Sequence, residues 1–253
     1  MSQLPSDAIT CIKPLWQVHS RVRAFTSTRN GGVSEPPFDT MNLGLHVADQ
    51  QQYVLENRRR LCHMHALPVE PLWLNQTHSS RIVSVGSQAP LNVDADGAYT
   101  AETNTVLCAL TADCLPVVIS DSEGTEVAVV HAGWRGLANG VLKNALACFS
   151  DNRALHAWLG PAIGPDKFEV GEDVRDAFCE GKKQNLEHFK PTGVKGKYLA
   201  DLYALAESEL RRCGCEYVSG GDYCTHTQSE LFHSHRRDGV RSGRIATIVW
   251  IEP

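Results

Sequence analysis

Apolar residues between positions 105 and 136 fall into two nearly continuous runs, Thr105–Leu110 and Leu115–Ser120, and a third at Val127–Val130. These runs are rich in β-branched residues, which is typical of strands buried on both faces. A polar turn cluster, Asp121–Gly124, separates the second run from the third. The pattern predicts three neighbouring strands of a buried sheet.

The rest of the chain alternates between helix-like and strand-like patterns. Apolar residues at helical spacing predict helices from an Asp49 cap to His65, from Leu137 to Phe149, from Glu172 to Cys179, and from Leu199 to a stop at Gly214. Short apolar or alternating segments predict strands at Arg23–Thr28, Leu72–Gln76, Arg81–Val85, Ala157–Leu159, Tyr217–Gly221 and Arg244–Ile251. The polar segment 181–196 indicates an exposed loop. Because no repeat or linker interrupts the chain, we expect one mixed α/β (α+β) domain over residues 1–253.

Composition excludes several classes of partner. The chain has 24 Lys and Arg against 29 Asp and Glu, a net charge of −5, and no basic block, so nucleic acid and anionic membranes are poor candidate partners. No apolar run approaches the roughly 20 residues that span a bilayer. The first residues lack the pattern of a signal peptide. Nine scattered cysteines without framework spacing indicate reduced thiols and a cytoplasmic location.

Residues with metal-ligand chemistry stand where predicted strands end. His78, Cys114 and His131 each follow such a strand, and strand ends on one rim of a sheet can converge. Two imidazoles and a thiolate suit zinc, and three protein ligands leave a fourth position open, as in catalytic sites. The alternative is that each is an ordinary core or turn residue.

A glycine-bracketed turn follows the third of these residues. The segment from His131 to Gly136 places Gly133, Arg135 and Gly136 between a strand and a helix. Free backbone N–H groups beside an arginine form a candidate site for phosphate or carboxylate. The alternative is that the glycines only allow the strand and the helix to pack closely. The segment matches neither a Walker loop nor a dinucleotide fingerprint.

Several further polar residues lie in predicted turns. Asp113, Asp94 and Asp96 are candidates to orient a ligating histidine or to act as a general base, although turn and cap roles are more common for Asp in loops. Arg29 and Asn30 lie in the first turn. Near the end of the chain, the candidates for lining a cleft are His226, His233, His235 and Arg236.

Seven segments in order carry a family resemblance: TSTRNGGVSEPP, MNLGLHVAD, NQTH, TADCLPVV, HAGWRG, WLGPAIGP, and GGDYCTHT followed by FHSHRRDG. Together they resemble the bacterial YfiH-type family, whose members are called polyphenol oxidase or laccase-domain proteins and also act as purine nucleoside phosphorylases. The likeness extends from about Phe25 to Ile251.

The resemblance implies a fold and a set of site residues. The implied fold is a single layered α/β sandwich shared with a cysteine-hydrolase toxin domain. The implied zinc ligands are His78, Cys114 and His131, and Arg29 corresponds to the family's arginine in the first glycine turn. Catalytic roles are expected for Cys114, Asp113, Arg29 and Arg135, and substrate-binding roles for Arg29, Asn30, Gly133, Arg135 and Gly136. His226 and His235 depart from the family pattern, in which tyrosine is common at these positions.

The activity implied by the resemblance is zinc-dependent phosphorolysis of adenosine, inosine and methylthioadenosine, with deamination of adenosine to inosine. The expected partners are a nucleoside and phosphate, and the chain is expected to be a monomer or homodimer. One alternative is a copper-dependent polyphenol oxidase, since a Cys/His₂ site also takes copper. Another is an amidase that edits cell-wall precursor peptides, with Cys114 as nucleophile and His131 as base.

Overall fold

The computed structural model describes residues 11–86, 93–151 and 153–253. In chain order, the strands are β1 (Cys11–Ile12), β2 (Val22–Ser27), β3 (Ile82–Ser84), β4 (Gly97–Thr100), β5 (Leu107–Thr111), β6 (Leu115–Asp121), β7 (Val127–Ala132), β8 (Leu155–Leu159), β9 (Glu169–Gly171), β10 (Phe189–Pro191), β11 (Lys197–Ala200), β12 (Tyr217–Gly220) and β13 (Ile245–Ile251). The helices are α1 (Gln51–Met64), α2 (Trp134–Ala138), α3 (Val141–Leu146), α4 (Glu172–Cys179), α5 (Leu202–Arg212) and α6 (His235–Asp238). In these ranges, no helix is both long enough and apolar enough to traverse a lipid bilayer.

The strands form three sheets. The largest has the order β12-β8-β6-β7-β4-β3, with antiparallel pairs at its centre and a parallel pair at each edge. A second sheet, β1-β2-β13-β5, and a small third sheet, β10-β11-β9, are antiparallel throughout. The fold is therefore a mixed α/β sandwich, as the sequence predicts.

Successive side chains along the central strands point to opposite faces of each sheet and pack into different layers of the core. In β5, Leu107 and Ala109 pack with Val118 and Val129 of the six-stranded sheet. The intervening residue of β5, Cys108, joins a different core cluster that contains Leu61 of α1. The opposite face of the six-stranded sheet packs against α3 and α5. Both large sheets are thus covered on both faces, which explains their nearly continuous apolar sequences.

The region after Gly136 differs from its prediction. The sequence predicts one helix over residues 137–149, whereas the structure has α2 and α3 with a break between them. Gly140 adopts a left-handed conformation with φ of 83° at this break. A helix cannot continue through a residue in that conformation. Apolar spacing alone did not reveal the break, because apolar residues of both α2 and α3 pack in the same core cluster.

The start of the first helix also differs. The N-cap of α1 is Gln50, and its side chain makes no capping hydrogen bond. The carboxylate of Asp49, predicted as the cap, instead accepts hydrogen bonds from Ser34 Oγ at 2.7 Å and Asn42 Nδ2 at 2.9 Å. Asp49 therefore joins two loop segments and does not cap the helix.

Other boundaries were wrong where strands are short or polar. The segment 181–196, predicted as an exposed loop, contains a 3₁₀ turn at Lys183–His188 and strand β10. Leu199 lies in β11, and α5 begins only after Asp201, whose Oδ1 caps it by accepting from Ala204 N. The predicted strand Leu72–Gln76 is reduced to isolated bridges at Leu72 and Asn75. The prediction also omitted β1, β4, β9, β11 and α6.

Candidate metal centre and cavity

The three candidate ligands come together at one edge of the sandwich. His78 ends the irregular segment after α1, Cys114 immediately precedes β6, and His131 lies in β7. Their ligand atoms all lie within 4.8 Å of one another. His78 is exposed, Cys114 is half-buried and His131 is buried. Within the described ranges, these three form the one group of His, Cys, Asp or Glu side chains with this geometry.

Local backbone conformation directs two of these side chains. His78 has φ of 58°, and Asp113, next to Cys114, has φ of 91°. Non-glycine residues rarely adopt this region, and such conformations concentrate at functional sites. The β5–β6 turn is held in part by Asp113, whose carboxylate accepts hydrogen bonds from Thr225 Oγ1 and from the backbone N–H of Arg236, each at 2.6 Å.

Gly133 contributes to the site by having no side chain. A Cβ atom at this position would lie 3.1 Å from Cys114 Sγ and 3.1 Å from His78 Cδ2. The backbone of the turn between β7 and α2 therefore packs directly against two candidate ligands. This close approach, and not a special backbone angle, accounts for the glycine.

Asp96 connects the histidines. Its carboxylate accepts hydrogen bonds from the backbone N–H groups of Thr77, His78 and Ser79, from Ser79 Oγ, and from Nδ1 of His131. Burial alone raises the pKa of Asp96, but the hydrogen bonds from His131 and Ser79 outweigh it and lower the pKa to about 2. Asp96 is thus ionised and directs Nε2 of His131 away from itself, the arrangement typical of a carboxylate behind a ligating histidine.

Cys114 and His131 form a coupled pair. Burial raises the pKa of the thiol, but the charge and hydrogen bond of His131 lower it to about 6. Burial lowers the pKa of His131, whereas Cys114 and Asp96 raise it to about 9. The thiolate is the form that binds metals and attacks electrophiles. Two imidazoles and a thiolate held this close fit zinc or copper.

A cavity of about 440 Å³ opens onto this cluster. Its apolar wall includes Leu74, Ile163 and Phe168. Its polar lining, besides the cluster and Asp113, comes from separate segments of the chain: His46, Asn75, Gln76, Thr111, His235, Arg236 and Arg244. His46, Gln76, Phe168 and Arg244 were not among the residues predicted for the site. His46 and Gln76 both lie in motifs quoted for the resemblance, and those motifs were the available signal for these two residues.

Other residues predicted for the site lie outside the cavity lining. The guanidinium of Arg29 donates to the backbone oxygens of Asp39 and Ser229 and pairs with the Asp39 carboxylate at 3.2 Å. Asn30 Nδ2 donates to the Glu230 oxygen at 3.1 Å. Arg135 is exposed, with its guanidinium carbon 4.4 Å from the centre of the Trp134 ring.

Some of the remaining predicted residues line the cavity or support the cluster, and the others do not. Gly136 packs against the backbone, since a Cβ there would lie 2.8 Å from the oxygen of Ser79. His233 is fully buried, and His226 is half-buried. Of the four candidates near the end of the chain, His235 and Arg236 line the cavity. Of the candidate carboxylates, Asp94 is exposed and bonds Asn75, whereas Asp96 supports the cluster.

Comparison with known proteins confirms the family resemblance. The purine nucleoside phosphorylase YfiH of Escherichia coli (strain K12) is 46% identical over 241 residues, covering 95% of this chain and 98% of that protein. The purine nucleoside phosphorylase of Haemophilus influenzae is 42% identical, with 95% and 99% coverage.

Solved structures confirm the fold. A crystal structure of a Neisseria meningitidis protein matches with a TM-score of 0.92 at 41% identity, covering 97% of this chain and 100% of that one. The hypothetical protein YfiH of Bacillus licheniformis matches with a TM-score of 0.91 at 29% identity, covering 98% and 99%. Residues 23–252 match the family described as multi-copper polyphenol oxidoreductase laccase. Because this match spans most of the sequence, the chain belongs to that family.

Proposed function

We propose that this protein is a zinc-dependent purine nucleoside phosphorylase that also deaminates adenosine. The observation that supports it most is the His78–Cys114–His131 cluster opening into a cavity of about 440 Å³, in a chain similar to proteins named purine nucleoside phosphorylase. Small-molecule sites are concave, largely apolar and of this order of size. The substrates would be adenosine, inosine and methylthioadenosine, cleaved to the base and a ribose 1-phosphate.

The cluster would hold the metal through one imidazole nitrogen of His78, the thiolate of Cys114 and Nε2 of His131. A zinc ion with an open position would act as a Lewis acid and would lower the pKa of water to about 7. Asp96 fixes the tautomer of His131 by accepting from its Nδ1. It also holds the 77–79 turn that carries His78, so one carboxylate sets the relative position of two ligands.

The cavity walls would orient the nucleoside. The buried ring of Phe168 and the side chain of Ile163 offer an apolar surface for a purine. Gln76 is held rigidly, since its amide donates to the oxygen of Leu110 and accepts from that residue's N–H, each at 2.8 Å. Asp113, which faces the cavity, is a candidate to accept a proton from the substrate.

Metal content and product identity test the proposal. Protein never exposed to added metal should contain one zinc ion per chain, and Cys114→Ala should lose it. The same preparation should release hypoxanthine from inosine only with phosphate. Stoichiometric copper with oxidation of phenols would favour the oxidase instead, and full metal content in Cys114→Ala would remove this metal assignment.

The low pKa of the Cys114 thiol supports a second candidate, amide hydrolysis by a thiolate, with His131 first as the proton donor and then as the base. In this reaction Cys114 Sγ attacks a carbonyl carbon, the amine departs with a proton from His131, and water hydrolyses the thioester. Metal-free protein should then cleave an amide substrate and carry a trapped acyl group on Cys114, detectable by mass spectrometry. A requirement for metal in every activity would eliminate this candidate.

A further inference from the structure

The arginines that line the cavity indicate a binding site that the sequence motifs did not reveal. Phosphate was expected beside Arg135 or Arg29, but neither lines the cavity. In the described ranges, the cavity-lining arginines are Arg236 and Arg244. Arg236 Nη1 donates to the backbone oxygen of Glu169 at 2.9 Å, and its guanidinium carbon lies 5.6 Å from the ring centre of Phe168. Arg244 is half-buried, whereas Arg236 is exposed.

The backbone of Arg244 is fixed at the start of β13. Its N–H donates to Asn42 Oδ1 at 2.9 Å, and its oxygen accepts from the N–H of Leu43 at 3.1 Å. A Cβ atom on Gly44 would lie 2.7 Å from Arg244 Cγ and 3.3 Å from Cε1 of His46. Gly44 therefore leaves room for Arg244 and His46 to approach the same point of the backbone, and both line the cavity.

The guanidinium of Arg244 is a half-buried cation without an acidic partner. Nη1 donates to the oxygens of Ser242 and Gly243 at 2.8 and 3.0 Å. Among the residues that the structure describes, no carboxylate oxygen lies within 4.0 Å of it, and Nε and Nη2 make no hydrogen bond. Burial lowers its pKa, while Cys114 and Asp113 raise it, but arginine stays protonated in proteins. A partly desolvated, unpaired guanidinium that faces a cavity favours a bound oxyanion.

His46 adds a neutral donor. The residue is exposed to solvent, but burial of part of its ring lowers its pKa, and the positive charges of Arg244, Arg58 and His131 lower it further. At neutral pH its ring therefore carries one N–H, which can donate to an oxygen that Arg244 also binds. This combination resembles the mixed charged and neutral donors that bind phosphate.

We infer that Arg244 and His46 form an oxyanion subsite of the cavity that binds inorganic phosphate as the co-substrate. The role of the anion as co-substrate rests on the proposed phosphorylase activity. The binding of the anion does not depend on that activity. The subsite places the anion and the metal cluster in one cavity. The glycine turn at Gly133–Gly136 is then a packing element for Cys114 and His78.

Calorimetric titration of inorganic phosphate into the metal-containing protein tests the subsite. Arg244→Gln should weaken binding about 10- to 100-fold, as loss of charge-assisted hydrogen bonds predicts, and Arg244→Lys should lose less. Arg241→Gln is the matched control, because Arg241 is exposed, three residues away and outside the cavity lining. Arg135→Ala should also bind as the wild type does. His46→Gln provides an independent test if Arg244→Gln does not fold.

Specific results would overturn the assignment. They are wild-type affinity in both Arg244→Gln and His46→Gln, loss of binding in Arg135→Ala, or no phosphate binding by the wild-type protein. A parallel titration with adenosine 5′-monophosphate distinguishes the sources of the anion. Arg244-dependent binding of the nucleotide without binding of inorganic phosphate would overturn the co-substrate role.

Activity measurements separate this inference from the proposed function. Arg244→Gln should raise KM for phosphate and leave KM for inosine nearly unchanged. Arg244-dependent phosphate binding in a protein that cleaves no nucleoside would support the subsite and refute the phosphorylase. Phosphorolysis with an unchanged KM for phosphate in Arg244→Gln would support the phosphorylase and refute the subsite.

Discussion

The carboxylate of Asp96 accepts a hydrogen bond from Nδ1 of His131 at 2.8 Å, while the backbone N–H of His131 donates to the main-chain oxygen of Asp96 at 2.6 Å. These two hydrogen bonds, both donated by His131, join β7 to the turn before β4 at the position of the candidate ligand. The same carboxylate holds the turn that carries His78. The role we propose for Asp96 is therefore to position the candidate ligands.

Replacing Asp96 with Asn should lower zinc affinity about 10- to 100-fold, the usual range for a residue behind a metal ligand. The amide has only one acceptor oxygen, so it cannot satisfy His131 and the 77–79 turn together. Competition with a chelator of known affinity measures the effect. Asp94→Asn is the matched control, since Asp94 is exposed and bonds Asn75 outside the cluster. Equal zinc affinity in both variants would contradict the positioning role.

Asp96 also predicts a pH dependence of stability. Its folded-state pKa of about 2 lies below the unfolded value of about 3.9, so its stabilising contribution is complete above the unfolded value. That contribution is lost as pH falls through the folded pKa. Acid unfolding followed by circular dichroism should therefore show a smaller loss of stability between pH 4 and pH 2 in Asp96→Asn than in the wild type. An identical acid profile would show that Asp96 does not contribute.

In metal-free protein, Cys114 should react with iodoacetamide at unusually low pH. Its pKa of about 6 means that the thiolate fraction falls only as pH drops through 6, and labelling should be nearly maximal at neutral pH. Cys148 and Cys213 are internal controls, because burial raises the pKa of both thiols. Peptide mass spectrometry measures each site. A labelling midpoint near 8.5, the ordinary value for cysteine, would contradict the coupling to His131.

His78→Ala should abolish both proposed activities together, because one cluster organises one cavity. In the wild type, release of free base should scale with phosphate, which attacks the sugar carbon. Deamination should not depend on phosphate, since water supplies the incoming oxygen. Chromatography of inosine and adenine formed from adenosine across a phosphate series measures both reactions. Loss of one product with the other unchanged would indicate two separate sites.

Gly140→Ala should reduce the free energy of unfolding by about 1 kcal/mol, because alanine is strained at the φ of 83° that separates α2 from α3. The cost arises from the backbone, since a Cβ there would have only Lys143 Cβ nearby, at 4.0 Å. Gly86→Ala is the control, because Gly86 lacks positive φ and its Cβ would meet nothing within 4 Å. Urea denaturation of the two variants measures the difference. A stabilised Gly140→Ala protein would instead favour one continuous helix.

The sequence predicted the central strands well because both of their faces are buried, so β5, β6 and β7 are nearly continuous apolar runs. It failed where no such pattern exists. The strands of the small third sheet are short and partly exposed, and Pro191 and Lys197 in β10 and β11 resemble loop residues. The break at Gly140 depends on a backbone angle that apolar spacing does not encode.

The site likewise contains residues that the sequence predicted and residues that it did not. His78, Cys114 and His131 were predicted together because each stands out chemically at a strand end. Arg244 and His46 were not, because nearly two hundred residues separate them. Contacts of Arg244 with the segment 42–44 bring them together. Arg135 was chosen for its glycine neighbours, but its side chain stacks on Trp134 outside the cavity lining. Motifs therefore indicated the cluster, whereas long-range contacts determined the rest of the cavity.

The graded burial of the three candidate ligands, with His78 exposed, Cys114 half-buried and His131 buried, implies an order of exchange for a metal held there. A competing chelator would reach the His78 side first, while β7 keeps His131 in place. Dissociation would then be governed by local opening of the 77–79 turn, which is much easier than global unfolding. Substitutions in that turn should change the rate of metal release, and substitutions in the core of β7 should change mainly the stability of the whole protein.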